Sequence, residues 1–269
     1  SIAAGKTLSG AVTVTGGSIK LGKTGTLASN ITMSGGTLDA DESLTLSGAL
    51  TQSGNITIDV AEDKTLSYSG AAVNLGARTL TMSGKGTFSN TNALVLTTSS
   101  KLRLNNTATV SRVNTSANNS GVEVNESSTI TSLAVGHTTP LPIAAGKTLS
   151  GGITVTAGSI KLSQTGTLAS NISMSGGTLD ANNNMTISGA LSHTGNITID
   201  VYSNKTLTYS GTAINVGANT ITLSGGGSLV SGGMTLNDAQ SKLLLNSITL
   251  DSASTSANSL GLDVDANST

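Results

Sequence analysis

The chain of 269 residues contains no cysteine and no tryptophan, and its only aromatic residues are one phenylalanine and three tyrosines. Without cysteine there is no disulfide and no thiolate chemistry, although this assigns no redox compartment. So few rings argue against a carbohydrate groove built from several stacking platforms. Charged residues make up 10% of the chain, against about 25% in an average globular protein. With a net charge of −1 there is no basic stripe for nucleic acid, and no nucleic-acid partner is expected. No apolar run reaches about 18 residues, so no membrane-spanning helix is expected. No leader segment is visible, and the chain opens inside a repeat.

What is present is aliphatic. Hydrophobic residues account for 36% of the chain, mostly Leu, Ile, Val and Ala, beside 33 glycines. Disordered chains combine low hydrophobicity with high net charge, and this chain does neither. It is also repetitive. IAAGKTLSG at 2–10 returns unchanged at 143–151, 141 residues later. SGGTLDA at 34–40 returns at 175–181, and GNITIDV at 54–60 returns at 195–201. TSAN at 115–118 returns at 255–258, an offset of 140.

A shorter period lies inside the 141-residue unit. Its apolar anchors are Leu8, Leu27, Leu46, Leu66, Phe88, Val110, Ile130 and Leu149, at steps of 19, 19, 20, 22, 22, 20 and 19. The second copy follows with Leu168, Ile187, Leu207 and Leu229. Each short unit holds runs of four residues that alternate apolar and polar, interrupted by Gly or polar pairs; residues 12–15, VTVT, are one. That pattern marks strands and corners, and no helical period is found.

Three strands per repeat with no helices predict an all-β, single-stranded parallel β-solenoid of about 13 coils of 19–22 residues. At about 4.8 Å per rung, it would be roughly 60 Å long. One continuous solenoid is expected over 1–269, built of a first unit, 1–141, and an incomplete second, 142–269. Both prolines, Pro140 and Pro142, fall near the join, where a corner, strand start or edge suits them. Neither end carries a distinct cap, so the chain is expected to be part of a longer array or to stack end to end.

The third strand predicts an inward ladder of Ile19, Leu38, Ile58, Leu80, Leu102, Val122 and Leu141. The next residues point outward: Lys20, Asp39, Asp59, Thr81, Arg103, Glu123 and Pro142. This sets Lys20 beside Asp39 and Arg103 beside Glu123, as favourable neighbours. Gly17, Gly36 and Gly54 line up at one corner, where left-handed backbone is expected.

Residues able to carry chemistry are few. Asp39 with Asp59, and Asp180 with Asp200, form stacked carboxylate pairs about 5 Å apart. Such pairs can do acid–base work or bind a cation. The neighbouring acids Asp41, Glu42, Glu62 and Asp63 become Asn182, Asn183, Ser203 and Asn204 in the second copy, which favours a solvated charged ladder. His137 and His193 occupy unrelated positions. No GxSxG elbow or phosphate loop is present. Thr-x-Thr triplets (Thr13/Thr15, Thr79/Thr81, Thr154/Thr156, Thr220/Thr222) suggest a water-ordering, ice-binding array, but they fall on different strands. Tyr68 and Tyr209 correspond, with Tyr202 near, and sequons at Asn30, Asn55, Asn171 and Asn196 are attributed to chance.

Repeats of 19–22 residues with TLSG, ITMSGG and TLDA wording resemble the passenger regions of bacterial autotransporters and filamentous-haemagglutinin-like adhesins. The resemblance covers essentially the whole chain. It implies a right-handed parallel β-helix, export, and a role in adhesion or assembly at the bacterial surface or outside the cell, with no catalytic residue. The expected function is a non-enzymatic rod or fibre segment with no cofactor or metal, whose partner is itself, end to end or laterally. An adhesin face for a host receptor or glycan is the second reading, and a polysaccharide-processing β-helix enzyme the third.

Overall fold

The computed structural model describes residues 6–255, 258 and 260–269. Ile2 to Gly5 of the opening repeat, and Ser256 and Ala257 of the second TSAN, lie outside the described residues. Among the described residues there is no helix, and every strand-to-strand ladder is parallel. The coils number about 13 in all. The chain divides into two compact units, Ser1–Leu133 and Ala134–Thr269.

In the first unit the coils carry three strands each, except that Thr109–Thr115 runs the first two together before Gly121–Val124. One coil holds Thr26–Leu27, Asn30–Met33 and Thr37–Ala40, and the next holds Leu44–Leu46, Leu50–Gln52 and Ile56–Val60. Each pairs with its counterpart one coil on: Leu27 with Leu46, Ile31 with Leu50, Leu38 with Ile58. The second unit repeats the arrangement, with Leu168 on Ile187, Ile172 on Leu191 and Leu179 on Ile199. Strands form here because alternate residues are aliphatic and short polar residues fill the other face. In Ile56–Val60 the residues Ile56, Ile58 and Val60 are buried, whereas Thr57 and Asp59 are partly exposed. A coil cannot bury its apolar row alone, so the rung above and below completes the core.

Among the first strands the sequence period and the observed register differ in two places. Leu66 pairs with Leu44 rather than Leu46, and Leu207 with Met185 rather than Ile187. The cause is a longer corner. Three residues separate Ala40 from Leu44, but five separate Val60 from Leu66. The extra two form a turn closed by Lys64 N–H donating to the Ala61 carbonyl at 3.1 Å, with Asp63 at φ 60°. In the second unit Lys205 N–H donates to Tyr202 O at 3.0 Å, with Asn204 at φ 62°.

The third-strand ladder is corrected in the same way. Ile58 stacks on Met82, and Leu80 stacks on Ile56 before Leu102 and Val122. What the sequence presents as one row is two rows offset by a pleat. Side chains alternate with a period of two, so a two-residue slip leaves every inward residue inward. Leu38, Ile58, Leu80, Leu102 and Val122 are all fully buried, and Ile19 partly.

The slip places Tyr68 on Leu46 and Tyr209 on Ile187. Tyr68 is buried and its ring stacks on Phe88 with centroids 5.9 Å apart. Its hydroxyl donates to the Ala71 carbonyl at 2.6 Å and accepts from Leu50 N–H at 3.1 Å. Burial raises its pKa. Both residues belong to the core, so neither is a glycan platform.

The glycine corner needs one correction. Gly17 and Gly36 are left-handed at φ 73° and 85°, but Gly54 is not. At Gly54 a Cβ would lie 2.0 Å from the Ser34 carbonyl, so close approach of the preceding rung excludes a side chain. Pro140 lies within the short strand Thr139–Pro140, paired with Ile160–Lys161, rather than at a corner; Pro142 follows it.

Leu80→Ala should lower unfolding free energy by about 2–5 kcal/mol through lost burial and a cavity. Tyr68→Phe should cost about 1–3 kcal/mol by leaving the Leu50 N–H and Ala71 carbonyl unmet. Urea titration of both variants checks the pair. Gly17→Ala meets nothing within 4 Å, whereas a Cβ at Gly36 meets the Gly17 carbonyl at 2.2 Å. Gly17→Ala should therefore cost about 1–2 kcal/mol of backbone strain, and Gly36→Ala distinctly more. Equal losses would show that the carbonyl contact does not matter.

Candidate functional site: the outward ladders

Charge in each unit is concentrated on the outer face of the third strands and the corners after them. In the first unit the rungs read Lys20, Asp39, Asp59 in one column and Thr81, Arg103, Glu123 in another. Lys20 Nζ lies 3.4 Å from Asp39 and 3.5 Å from Asp41, and these carboxylates raise its pKa. Asp59 accepts from Ser83 Oγ at 2.5 Å. Glu123 takes two cations, Lys101 Nζ at 2.6 Å and Arg103 Nε at 2.8 Å. Burial pushes Glu123 up, but hydrogen bonds from Lys101 and Arg103 outweigh it, and its pKa ends below the ordinary value. At the corners Lys64 pairs with Glu42 at 2.8 Å and Lys85 with Glu62 at 3.5 Å.

The second unit brings Lys161, Asp180 and Asp200 into one column. Ser224 Oγ donates to Asp200 Oδ1. Asp180 Oδ1 is buried without a hydrogen-bond partner. Burial raises the Asp180 pKa, with Asp200 adding to it and Lys161 opposing. Further along, Lys242 pairs with Asp263 at 2.9 Å.

The carboxylate pairs are thus brought together as the sequence spacing implies, each on two rungs of one column. Among the described residues no three His, Cys, Asp or Glu side chains are grouped to hold a metal ion. The histidines are apart. The His137 carbonyl accepts from Thr139 Oγ1 at 3.0 Å. His193 sits with Nδ1 and Nε2 each 3.0 Å from a carbonyl, of Gly195 and Asn215. Both contacts are to acceptors, so a neutral ring donates only one of them.

Two features carry no warning in the sequence. The sequon asparagines act as rung bridges. Asn30 and Asn171 Oδ1 accept from Ala49 and Ala190 N–H at 2.9 and 3.0 Å. Asn55 and Asn196 Oδ1 accept from Thr79 and Thr220 N–H at 2.9 and 2.8 Å. The same bond at the same corner in both units gives these residues a structural reason. Asp251 is the other. Its carboxylate accepts from Ser231 and Gly232 N–H, from Ser231 Oγ and from Ser252 N–H, at 2.9–3.0 Å. Burial raises its pKa, but these donors outweigh it and hold it low.

The first strands present an uncharged hydroxyl face. Thr7, Thr26, Thr45, Ser67 and Ser89 stack in one column, and Thr65, Thr87 and Thr109 in a second. In the second unit Thr148, Thr167, Thr186 and Thr208 stack likewise. The Thr-x-Thr triplets are dispersed: Thr13 stacks on Thr32 in the second strands, whereas Thr79 and Thr81 meet Lys101 and Arg103 in the third. Shallow grooves of about 340 and 390 Å³ open on the hydroxyl face at equivalent places. Thr26, Thr45, Thr65 and Ser67 line one, and Thr167's neighbours Thr186, Thr206 and Thr208 line the other.

Comparison with protein-family models, with curated proteins and with solved structures finds no match.

Glu123→Gln should cost below about 1 kcal/mol, shrinking with added salt, as exposed pairs do. A depressed carboxylate stabilises the fold above its unfolded-state pKa, and this contribution is lost as pH falls through the folded value. Wild type and Glu123→Gln should therefore converge in thermal stability at acid pH and separate near neutrality. Asn196→Ala should cost about 1 kcal/mol by orphaning the Thr220 N–H, measured by urea titration.

Proposed function

We propose that the chain is a non-enzymatic structural segment of a bacterial surface or secreted filament, assembling by stacking coil upon coil. The supporting observation is the ladder itself. Within each unit, third strands pair rung after rung, from Ser18–Lys20 to Gly121–Val124 and from Thr139–Pro140 to Gly261–Val264. Such a stack resists extension because separating two rungs breaks a row of hydrogen bonds and exposes an aliphatic row together. The resemblance of the repeat wording to autotransporter passengers and filamentous-haemagglutinin-like adhesins supports the extracellular setting. The partner is then a further copy of the same coil, joined at a rung edge or laterally.

A second reading is an adhesin face, favoured by one observation. The two hydroxyl-lined grooves recur at equivalent positions of the two units, so a weak site would be presented twice. Repetition of weak sites raises avidity without new contacts.

Negative-stain electron microscopy of the purified chain at increasing concentration tests the first reading. Thin fibres with an axial repeat of about 34 Å, seven rungs at the strand spacing, are the expected result. Discrete particles at every concentration, together with glycan-array or cell-binding signal lost on Thr186→Lys, would replace it with the second.

A further inference from the structure

The two copies of the acidic pair share a sequence but not a charge environment. In the first unit Asp39 and Asp59 stack on neighbouring rungs, and Lys20 Nζ reaches Asp39 at 3.4 Å. In the second unit Asp180 and Asp200 stack in the same register. Lys161 occupies the rung before Asp180, as Lys20 does before Asp39, yet no ion pair joins Lys161 to Asp180 among the described residues. Asp180 Oδ1 is left buried and unpartnered, and Asp200 is engaged by Ser224 Oγ.

Stacked rungs lie about 4.8 Å apart. Two carboxylates at that separation repel, and a buried oxygen without a donor cannot shed its charge to solvent. Ser224 Oγ already donates to Asp200 on the next rung. The partner that gains most from a proton is Asp180, whose buried Oδ1 has no donor. The titratable groups facing Asp180 from the strands packed on it are Lys161 on Ser159–Leu162 and Asp200 on Ile197–Val201.

We infer that Asp180 and Asp200 hold one proton between them, making this rung pair of the second unit a pH-sensitive clasp that its copy in the first unit, neutralised by Lys20, is not. The raised pKa of Asp180 agrees with this geometry. The sign follows from linkage. A carboxyl whose folded pKa is raised binds more protons folded than unfolded, so stability falls as pH climbs from the unfolded value through the folded one, and is level above it. Acid therefore tightens the clasp and neutral pH loosens it.

The test is carboxyl carbon NMR of the full chain across pH 3–8, with thermal unfolding of the wild type, Asp180→Asn and Asp39→Asn over the same range. Asp180 Cγ is expected to titrate above the ordinary aspartate range and to move down in Asp200→Asn. The wild type should lose a few degrees of melting temperature relative to Asp180→Asn as pH rises, with no matching gain for Asp39→Asn. Titration of Asp180 in the ordinary range in the wild type would overturn the inference, and that reading needs no variant to fold. An equal pH slope in the wild type and Asp180→Asn would overturn it too.

Discussion

Each rung of this molecule depends on the next for both its backbone hydrogen bonds and its burial. A coil of about 20 residues has no interior of its own. Leu38 is buried because Ile19 and Ile58 flank it in the column, and Tyr68 because Leu46 and Asn90 do. That dependence restricts where the coil can change length. Extra residues enter at corners, two at each of the turns at Asp63 and Asn204 and one between Gln52 and Thr57. An odd insertion within a strand would turn the aliphatic row outward.

The same stacking makes electrostatics a matter of columns. An outward residue has its nearest neighbours one rung up and one rung down, whatever lies beside it in sequence. Glu123 is held low because Arg103 sits one rung before it and Lys101 reaches across. Asp180 is pushed up first by burial and then by the aspartate on the next rung, and its buried Oδ1 has no donor. Identical TLDA and ITIDV wording thus gives different contacts: Lys20 pairs with Asp39 at 3.4 Å, whereas Asp180 Oδ1 is buried without a donor.

Faces divide the labour. Third strands and their corners carry the ion pairs, first strands carry the threonine and serine columns, and asparagines at the corners tie one rung to the next. None of these contacts is individually strong. Repetition supplies the stability, and repetition is also what a fibre or a multivalent surface requires.

The repeat, the strand alternation and the parallel coil were legible in the sequence, because period-two patterning and a recurring 19–22-residue spacing leave few other ways to bury thin aliphatic rows. The inward residues Leu38, Ile58, Leu80, Leu102 and Val122, and the neighbours Lys20–Asp39 and Arg103–Glu123, follow from that spacing alone. Tertiary structure decided the rest. A two-residue slip keeps the inside–outside pattern intact, so periodicity cannot see that Leu80 rests on Ile56 or that Tyr68 enters the core. The bridging asparagines, the donors around Asp251 and the unpartnered oxygen of Asp180 depend on where side-chain atoms fall between rungs, a distance of ångströms that residue identity does not encode.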